Sequence, residues 1–278
     1  MPKPSSTCRS TPQTEAPADV SRVYRYAGID ASQASDETAL ASEIALAISY
    51  NGLAHAVMMV SPDALEDFVV GFTRSSGTVQ RIDEIYDIRL EGQGEAWHAD
   101  LSIGSRAFWQ LKQQRRQLAG SSGCGLCGVD SLEQALPSLP SLPRSPLPDA
   151  VHLHGLRERI GDAQTLARHS GALHAALFVD AQGEIRLCRE DIGRHNALDK
   201  LIGALARQRI DATQGFAVVT SRCGLELLHK AVRAGIGSLV SLAAPTALTV
   251  DWARQHNLNL IHLPQRSLAR VYSPTPDS

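Results

Sequence analysis

Two cysteines three positions apart form the part of the sequence best suited to chemistry. Cys124 and Cys127 lie in the segment Ser-Ser-Gly-Cys-Gly-Leu-Cys-Gly at 121–128. A thiol pair at this spacing can bind zinc, form a dithiol–disulfide couple, or carry sulfur on a nucleophilic thiolate. Asp130 and Glu133 predict a capping box, so the cysteines precede a helix N-terminus, where the helix dipole favours a thiolate. Incidental thiols in a turn are the structural alternative.

A zinc site is the weaker interpretation of this pair. A structural zinc site needs four Cys or His ligands, and the other three cysteines, at positions 8, 188 and 223, are far apart in the sequence. A zinc deaminase needs His-x-Glu upstream of Pro-Cys-x-x-Cys, whereas this chain has His98-Ala99-Asp100 and no proline before Cys124. We therefore expect no metal held by protein side chains.

A second candidate is Glu-Asp-Ile-Gly-Arg-His-Asn-Ala-Leu-Asp-Lys at 190–200, where a predicted strand gives way to a helix. Arg194 and Lys200 have the charge to bind phosphate, and Glu190 and Asp191 can accept hydrogen bonds from a purine or pterin ring. A solvated helix entrance capped by Asp191 is the alternative. The remaining candidates follow later predicted strands: Thr220-Ser221-Arg222, Ala243-Ala244-Pro245-Thr246, and Leu263 to Arg270 with Arg266. Simple helix capping by the hydroxyl groups is the alternative for the first two loops.

The elements that position these segments alternate strand and helix after residue 150. The hydrophobic pattern predicts a hairpin of 175–179 with 185–188, helices over 150–169, 196–208, 224–234 and 246–255, and strands over 216–220, 238–242 and 258–262. Such alternation indicates crossover units and a largely parallel sheet, in which ligands bind beyond the carboxyl ends of the strands. We therefore expect the candidate loops to meet at one edge of that sheet.

The preceding part is predicted to be rich in antiparallel strands. Alternating apolar residues from Ile44 and a second apolar run to Val60 flank Asn51-Gly52, a strong hairpin signal. Ser61 and Pro62 then predict the cap and first position of a helix. A second hairpin is predicted to pair 86–90 with 97–103, and a helix is predicted over 108–117.

Composition and proline placement complete the outline. The chain of 278 residues has 27 basic and 29 acidic residues, a net charge of −2, which argues against nucleic-acid binding. No apolar run approaches membrane-spanning length and no secretory signal is visible, so we expect no membrane contact and a cytoplasmic location. The proline pattern divides the chain into four parts. They are a disordered tail (1–37), a β-rich N-terminal part (38–136), a proline-rich surface linker (137–149) and a C-terminal α/β part (150–278).

Together these segments resemble the formate dehydrogenase accessory sulfurtransferases of the FdhD type. The likeness rests on 121–128 and 190–200, and it extends over about residues 40 to 273. Supporting matches lie at 220–222 with Glu226 and Lys230, at 244–246, and at Val271-Tyr272. The resemblance implies a cytidine deaminase-like α/β fold without the zinc centre, in a homodimer.

The resemblance also implies a function. Such proteins take sulfane sulfur from a cysteine desulfurase as a persulfide and pass it to the molybdenum of a bis(molybdopterin guanine dinucleotide) cofactor destined for formate dehydrogenase. It would place the persulfide on Cys124, with Cys127 as the assisting thiol. The cofactor-binding residues it implies are Arg194, His195, Asn196, Ser221, Arg222, Thr246, Leu263, Pro264, Gln265, Arg266, Ser267 and Leu268. Ala243 and Cys223 depart from the family pattern, and Cys223 adds a thiol near the expected site. A chaperone that only binds and delivers the cofactor is the alternative function.

Overall fold

The structure, a computed structural model, describes residues 19–27, 29, 36–119 and 136–275, and the side chains of 114–119 and 169 are not described. Cys124 and Cys127, with the predicted capping box after them, lie outside the described residues, as does Cys8. The described chain forms a two-stranded ribbon, a four-stranded sheet and a six-stranded sheet, with helices packed on both larger sheets. This is a mixed α/β fold, as the sequence predicted.

The four-stranded sheet has the order β4-β3-β6-β5. Its elements in chain order are β3 (Ile44–Tyr50), β4 (Leu53–Val60), α1 (Leu65–Ser75), β5 (Ile85–Gln93), β6 (Ala96–Ile103) and α2 (Ser105–Ala119). Both predicted hairpins and the helix predicted over 108–117 are confirmed, with antiparallel pairing of β3 with β4 and of β5 with β6. The turn at Asn51 and Gly52 has positive φ at both residues, which explains why this dipeptide is suited to it. The two helices and the inner face of the sheet enclose one apolar core.

The two-stranded ribbon corrects the predicted tail. β1 (Ser21–Tyr26) pairs antiparallel with β2 (Asp36–Ala41), so the last part of 1–37 is not disordered. Prolines dominate the sequence before this point, but Val23, Tyr24 and Tyr26 are residue types that favour strands. These three side chains are at least half exposed.

The six-stranded sheet has the order β12-β11-β10-β9-β7-β8. Its strands are β7 (His174–Asp180), β8 (Ile185–Asp191), β9 (Gly215–Arg222), β10 (Ser238–Ala243), β11 (Asn259–His262) and β12 (Arg270–Ser273). Only the neighbouring pairs β9–β10 and β10–β11 are parallel, whereas β7 pairs antiparallel with both β8 and β9, and β12 pairs antiparallel with β11. The expectation of a largely parallel sheet is therefore wrong, because the chain adds antiparallel strands at both sides of a parallel centre.

Helices cover both faces of this sheet. On one face lie α6 (Arg194–Arg207), α7 (Leu225–Ala234) and α8 (Ala247–Gln255), which close the largest apolar core. On the other face lie two short helices, α3 (Ala150–Leu153) and α4 (Leu156–Ala163), and a third, α5 (Ala167–Ser170), contacts β2 of the ribbon. No helix among the described residues is long and apolar enough to span a membrane.

The prediction of a single helix over 150–169 is wrong, because the helix is interrupted at two places. Gly155 adopts φ +62° immediately before α4, a conformation that ends a helix. The first backbone N–H groups around α5, those of Leu166 and Ala167, donate to the carboxylate of Glu190 at 2.9 and 2.8 Å. A side chain distant in sequence thus caps the third short helix, and no local pattern signals it.

The proline-rich segment, which we name the strap (136–149), packs against the large core. Leu139 and Leu142 are buried there, and the backbone N–H of Leu142 donates to the carbonyl of His256 at 3.0 Å. The three-residue spacing of the two leucines is that of an extended polyproline-type chain, which puts both on one side. The strap was predicted as a surface linker, and the buried leucines correct that interpretation.

Candidate functional site

The candidate loops meet at one edge of the six-stranded sheet. β8 runs in the same direction as β9, β10 and β11, because each of β8 and β9 is antiparallel to β7. The carboxyl ends of all four strands therefore lie at the same edge, where the chain continues beyond Asp191, Arg222, Ala243 and His262. This confirms the expected gathering of the loops.

In the segment 190–200, however, the charged side chains of Lys200 and Asp191 face the protein interior. Lys200 and Asp191 are both fully buried, and Lys200 Nζ lies 2.7 Å from Asp191 Oδ2. Lys200 Nζ also donates to the carbonyls of Ser61 and Glu190 at 3.1 and 3.0 Å. The interpretation of Lys200 as a phosphate ligand is wrong, because burial and these three acceptors leave no donor for an external anion.

Asp191 is likewise occupied by protein groups. Its carboxylate accepts hydrogen bonds from the backbone N–H groups of Ser61 and Gly193, each at 2.9 Å. The Ser61 hydroxyl in turn accepts the N–H of Ile192 at 3.1 Å. Ser61 is therefore not the cap of α1, whose N-cap is Ala64; it belongs to a buried junction between the two halves of the chain. Neither Asp191 nor Glu190, whose carboxylate caps α5, is available to a purine or pterin ring.

Asn196, a predicted cofactor ligand, belongs to the same junction. Its Nδ2 donates to the carbonyl of Met59 at 2.8 Å and to Asp191 at 2.9 Å. Both amide hydrogens are thereby used inside the protein, and the residue is buried. The most distinctive motif of the sequence thus joins the two sheets, which is a structural role that its residue types alone did not indicate.

Two further ion-pair clusters join α1 to the C-terminal half, and sequence reasoning missed both. Arg189 Nε lies 2.8 Å from buried Asp67. Asp199 pairs with Lys230 Nζ at 2.7 Å and accepts the Ser75 hydroxyl at 2.5 Å. The partners in each cluster are more than 30 positions apart, so no spacing rule detects them.

The groups that remain turned toward the edge are Arg194, His195 and Arg222. Neither guanidinium group has an ion-pair or hydrogen-bond partner among the described residues, and Arg222 is exposed. His195 Nε2 lies 3.2 Å from Glu226 Oε2. Partial burial, reinforced by the charge of Arg194, lowers the pKa of His195 although Glu226 opposes the shift. At neutral pH this leaves a neutral imidazole near the Arg194 guanidinium, and Arg222 adds a second unpaired guanidinium at the same edge of the sheet, which suits an anionic ligand.

The hydroxyl groups predicted to bind cofactor are used locally. Thr246 caps α8 by accepting the N–H of Thr249 at 3.3 Å. The Ser221 hydroxyl donates to the carbonyl of Arg222 at 3.2 Å. The structure therefore shows the helix-capping alternative at Thr246 and a main-chain contact at Ser221.

A cavity of about 440 Å³ lies beside the segment predicted to bind cofactor. Five of the six predicted residues line it: Leu263, Pro264, Gln265, Ser267 and Leu268. The opposite wall comes from α3 and α4 and includes Arg157, whose Nη2 donates to the carbonyl of Leu242 at 2.6 Å and also to that of Leu263.

Arg157 is a candidate functional residue that the sequence did not reveal. Its guanidinium ties the ends of β10 and β11 together, and it has no carboxylate partner among the described residues. Its Nε is buried without a hydrogen-bond partner in the same part of the chain. Nothing in the local sequence distinguishes it from the exposed arginines nearby, so only the fold reveals it.

Two of the five cysteines are unsuited to carry sulfur. Burial raises the pKa of Cys223 to about 12, and burial together with the charge of Glu190 raises the pKa of Cys188 to about 12. Both are therefore thiols at neutral pH, and the thiolate is the nucleophile. The suggestion of Cys223 as an additional active thiol is not supported. In the described ranges, no three or more His, Cys, Asp or Glu side chains are grouped to hold a metal ion.

Comparison with known proteins places this arrangement in a family. The profile of the FdhD/NarQ family matches residues 41–277. The chain is 41% identical over 252 residues to the sulfur carrier protein FdhD of Bordetella petrii, covering 90% of each chain. It is 42% identical over 267 residues to that of Xanthomonas oryzae pv. oryzae, covering 96% of this chain and 94% of the relative.

A solved structure shares the fold. It is a Desulfotalea psychrophila chain that carries the provisional name of formate dehydrogenase accessory protein. The two superpose with a TM-score of 0.72 over 92% of this chain and 98% of the other, at 21% identity. The family profile covers most of the chain, and the curated relatives agree with it; the protein therefore belongs to the FdhD/NarQ family.

Proposed function

We propose that this protein is a sulfur carrier for formate dehydrogenase. It accepts sulfane sulfur from a cysteine desulfurase as a persulfide on Cys124 and delivers it to the molybdenum of the bis(molybdopterin guanine dinucleotide) cofactor. The observation that carries the proposal is the distribution of thiols. Cys223 is buried and Cys188 is half-buried, and the pKa of each thiol is raised, whereas Cys124 and Cys127 lie in the glycine-rich motif that characterises the family resemblance.

The loading step is a thiol exchange. The Cys124 thiolate attacks the terminal sulfur of the desulfurase persulfide, the S–S bond of that persulfide breaks, and the desulfurase cysteine leaves as a thiolate. The terminal sulfur and its proton are then on Cys124. The step needs no external oxidant or reductant, and it depends on Cys124 being a thiolate near neutral pH.

The release step gives Cys127 its role. Its thiolate attacks the inner sulfur of the Cys124 persulfide, forming a Cys124–Cys127 disulfide and expelling the outer sulfur at the oxidation level of sulfide. The two electrons that reduce this sulfur come from the two cysteines. A dithiol reductant then restores the pair for another cycle.

The cofactor is the acceptor, and the edge described above is where its nucleotide part would bind. The cavity beside 263–268 is of a size that suits small ligands. Arg157, Arg194 and Arg222 supply positive charge without carboxylate partners among the described residues, which suits the phosphates of a guanine dinucleotide. The proposal also includes a cytidine deaminase-like fold, a homodimer and action in the cytoplasm, which rest on the family resemblance alone.

The test is the intact mass of the protein after incubation with a cysteine desulfurase and cysteine. We expect one added sulfur on the wild type and on Cys223→Ala, and none on Cys124→Ala. Cys127→Ala should load sulfur but release it more slowly to an acceptor. If no form gains sulfur while a known acceptor does, the carrier function is refuted.

The cofactor chaperone is distinguished by nucleotide binding and by maturation of the enzyme. Guanosine diphosphate serves as a soluble probe of the nucleotide site, and Arg157→Met should weaken its binding while Arg159→Met, on the same helix, should not. A protein whose Cys124→Ala variant still activates formate dehydrogenase would be a chaperone. Loss of that activation with retained nucleotide binding supports the sulfur carrier.

A further inference from the structure

A second cavity, of about 220 Å³, lies at the opposite edge of the six-stranded sheet. Its walls come from the first residues of β11, the last residue of β12, the end of α8 and the strap. Since β10 and β11 run away from this edge, the cavity is separate from the loops where sulfur and cofactor are proposed to bind.

Two arginines give this cavity its charge. Arg144 projects from the strap and makes no ion pair or hydrogen bond with any described residue. Arg254 uses only Nε, which donates to the carbonyl of Tyr272 at 2.9 Å, so its two terminal nitrogens keep their donors. No carboxylate from the described residues lines the cavity. Two positive charges thus line one cavity without a counter-ion from the described residues.

A hydroxyl group adds a neutral donor to the two charges. Ser273, the last residue of β12, lines the cavity, and its hydroxyl makes no hydrogen bond with the described residues. It is therefore free to donate to a bound oxoanion.

The strap is held in place at this cavity by two asparagines. Asn259 Nδ2 lies 3.1 Å from each of the carbonyls of Ser145 and Pro146. Asn257 Nδ2 donates to the carbonyl of Leu142, also at 3.1 Å. Because these contacts flank Arg144 on both sides, the backbone that carries it is held at the cavity by the protein itself.

We propose that this cavity binds a phosphate group, either as inorganic phosphate or as the terminal phosphate of a larger ligand. Its volume is below the ~300–1,000 Å³ of typical small-molecule pockets, so only a small oxoanion fits inside it. Planar guanidinium groups and a hydroxyl donor match the oxygens of phosphate. The strap then has a function. Without it the cavity would have one arginine, Arg254, and the strap adds Arg144 as the second.

Isothermal titration with inorganic phosphate, at constant ionic strength, tests the proposal on the full chain. Arg144→Gln should weaken binding by about tenfold or more, the loss expected for one charge-assisted contact. Arg106→Gln is the matched control, since Arg106 is exposed, has no partner among the described residues and lies on α2. Ser273→Ala should also weaken binding. Tighter binding of glycerol 3-phosphate than of phosphate would identify a larger ligand as the natural source.

Two results would overturn the proposal. One is the absence of measurable binding by the wild type at millimolar phosphate. The other is equal weakening by Arg144→Gln and Arg106→Gln, which would show only the effect of net charge. Arg144 is exposed and makes no ion pair or hydrogen bond with the described residues, so its variant should keep the thermal midpoint of the wild type without phosphate, and loss of binding cannot then be ascribed to unfolding.

Discussion

Replacement of Lys200 by methionine separates two roles for the most distinctive motif of the chain. If Lys200 bound the phosphates of the cofactor, Lys200→Met would lower nucleotide affinity and leave the stability of the protein nearly unchanged. The structure predicts the opposite, because Lys200 is fully buried and lies 2.7 Å from Asp191. Removing the ammonium leaves the Asp191 carboxylate buried without its cation.

The size of the effect follows from this geometry. Breaking a buried ion pair by removing one partner costs about 3–5 kcal/mol. Methionine fills most of the lysine volume, so the cavity contribution is small, but the carbonyls of Ser61 and Glu190 also lose a donor. At roughly 2–4 °C per kcal/mol for proteins of this size class, the midpoint should fall by about 6–20 °C.

The assay is thermal unfolding followed by circular dichroism, together with titration of guanosine diphosphate at a temperature where both proteins are folded. Arg194→Met is the matched control, because Arg194 starts the same helix and faces the candidate site without a partner in the described chain. It should keep the midpoint and weaken nucleotide binding. The double variant Asp191→Asn with Lys200→Met should lose less stability than the two single losses added together.

The reasoning is refuted if Lys200→Met has the wild-type midpoint while nucleotide binding is lost. That result would mean that the lysine side chain reaches the ligand, which the buried pair with Asp191 excludes. If the double variant loses as much unfolding free energy as the two single variants together, Lys200 and Asp191 are not coupled. The stabilising contribution assigned to the pair would then be wrong.

Three further outcomes follow from the described residues. Gly71→Ala would place a methyl group 1.7 Å from a backbone oxygen of α6, so it should cost at least about 1–3 kcal/mol in denaturant unfolding, whereas Gly161→Ala, with nothing within 4 Å, should not. Burial and the charge of a nearby arginine lower the pKa of His229 to about 4, so stability should fall as pH decreases from about 6.5 to 4, and His229→Phe should flatten that dependence. Cys188 and Cys223 should resist iodoacetamide in the folded protein and react in urea, as measured by peptide mass.

Local patterns predicted most of the elements correctly. The turn at Asn51 and Gly52 and the alternation of strand and helix after residue 174 are determined by residue types close in sequence, and the structure confirms them. The gathering of the candidate loops at one edge followed from strand direction, which sequence order and crossover rules supply. These predictions succeeded because each depends on neighbours along the chain.

The predictions that failed depend on contacts between distant residues. The helix predicted over 150–169 is interrupted where Glu190 caps α5, and Ser61, which resembles a helix cap, binds Ile192 and Asp191 instead. The positive charge of Lys200 suggests a phosphate ligand, but the structure pairs it with the buried carboxylate of Asp191. For Glu190 and Ser61 the partner lies more than 20 positions away, and Lys200 combines nearby Asp191 with the distant carbonyl of Ser61.

On the proposed function, the junction around Lys200 has a consequence for sulfur transfer. The segment that contains Cys124 follows α2, which packs in the core of the four-stranded sheet, and it precedes the strap, which packs on the core of the six-stranded sheet. The described residues on its two sides are therefore anchored on different halves of the chain. The close approach of Gly71 in α1 to α6 fixes the distance between those halves, together with the pair of Lys200 and Asp191. On the proposed function, residues 190–200 act by holding the two anchors of the sulfur-bearing segment at a constant separation from the edge where the cofactor binds.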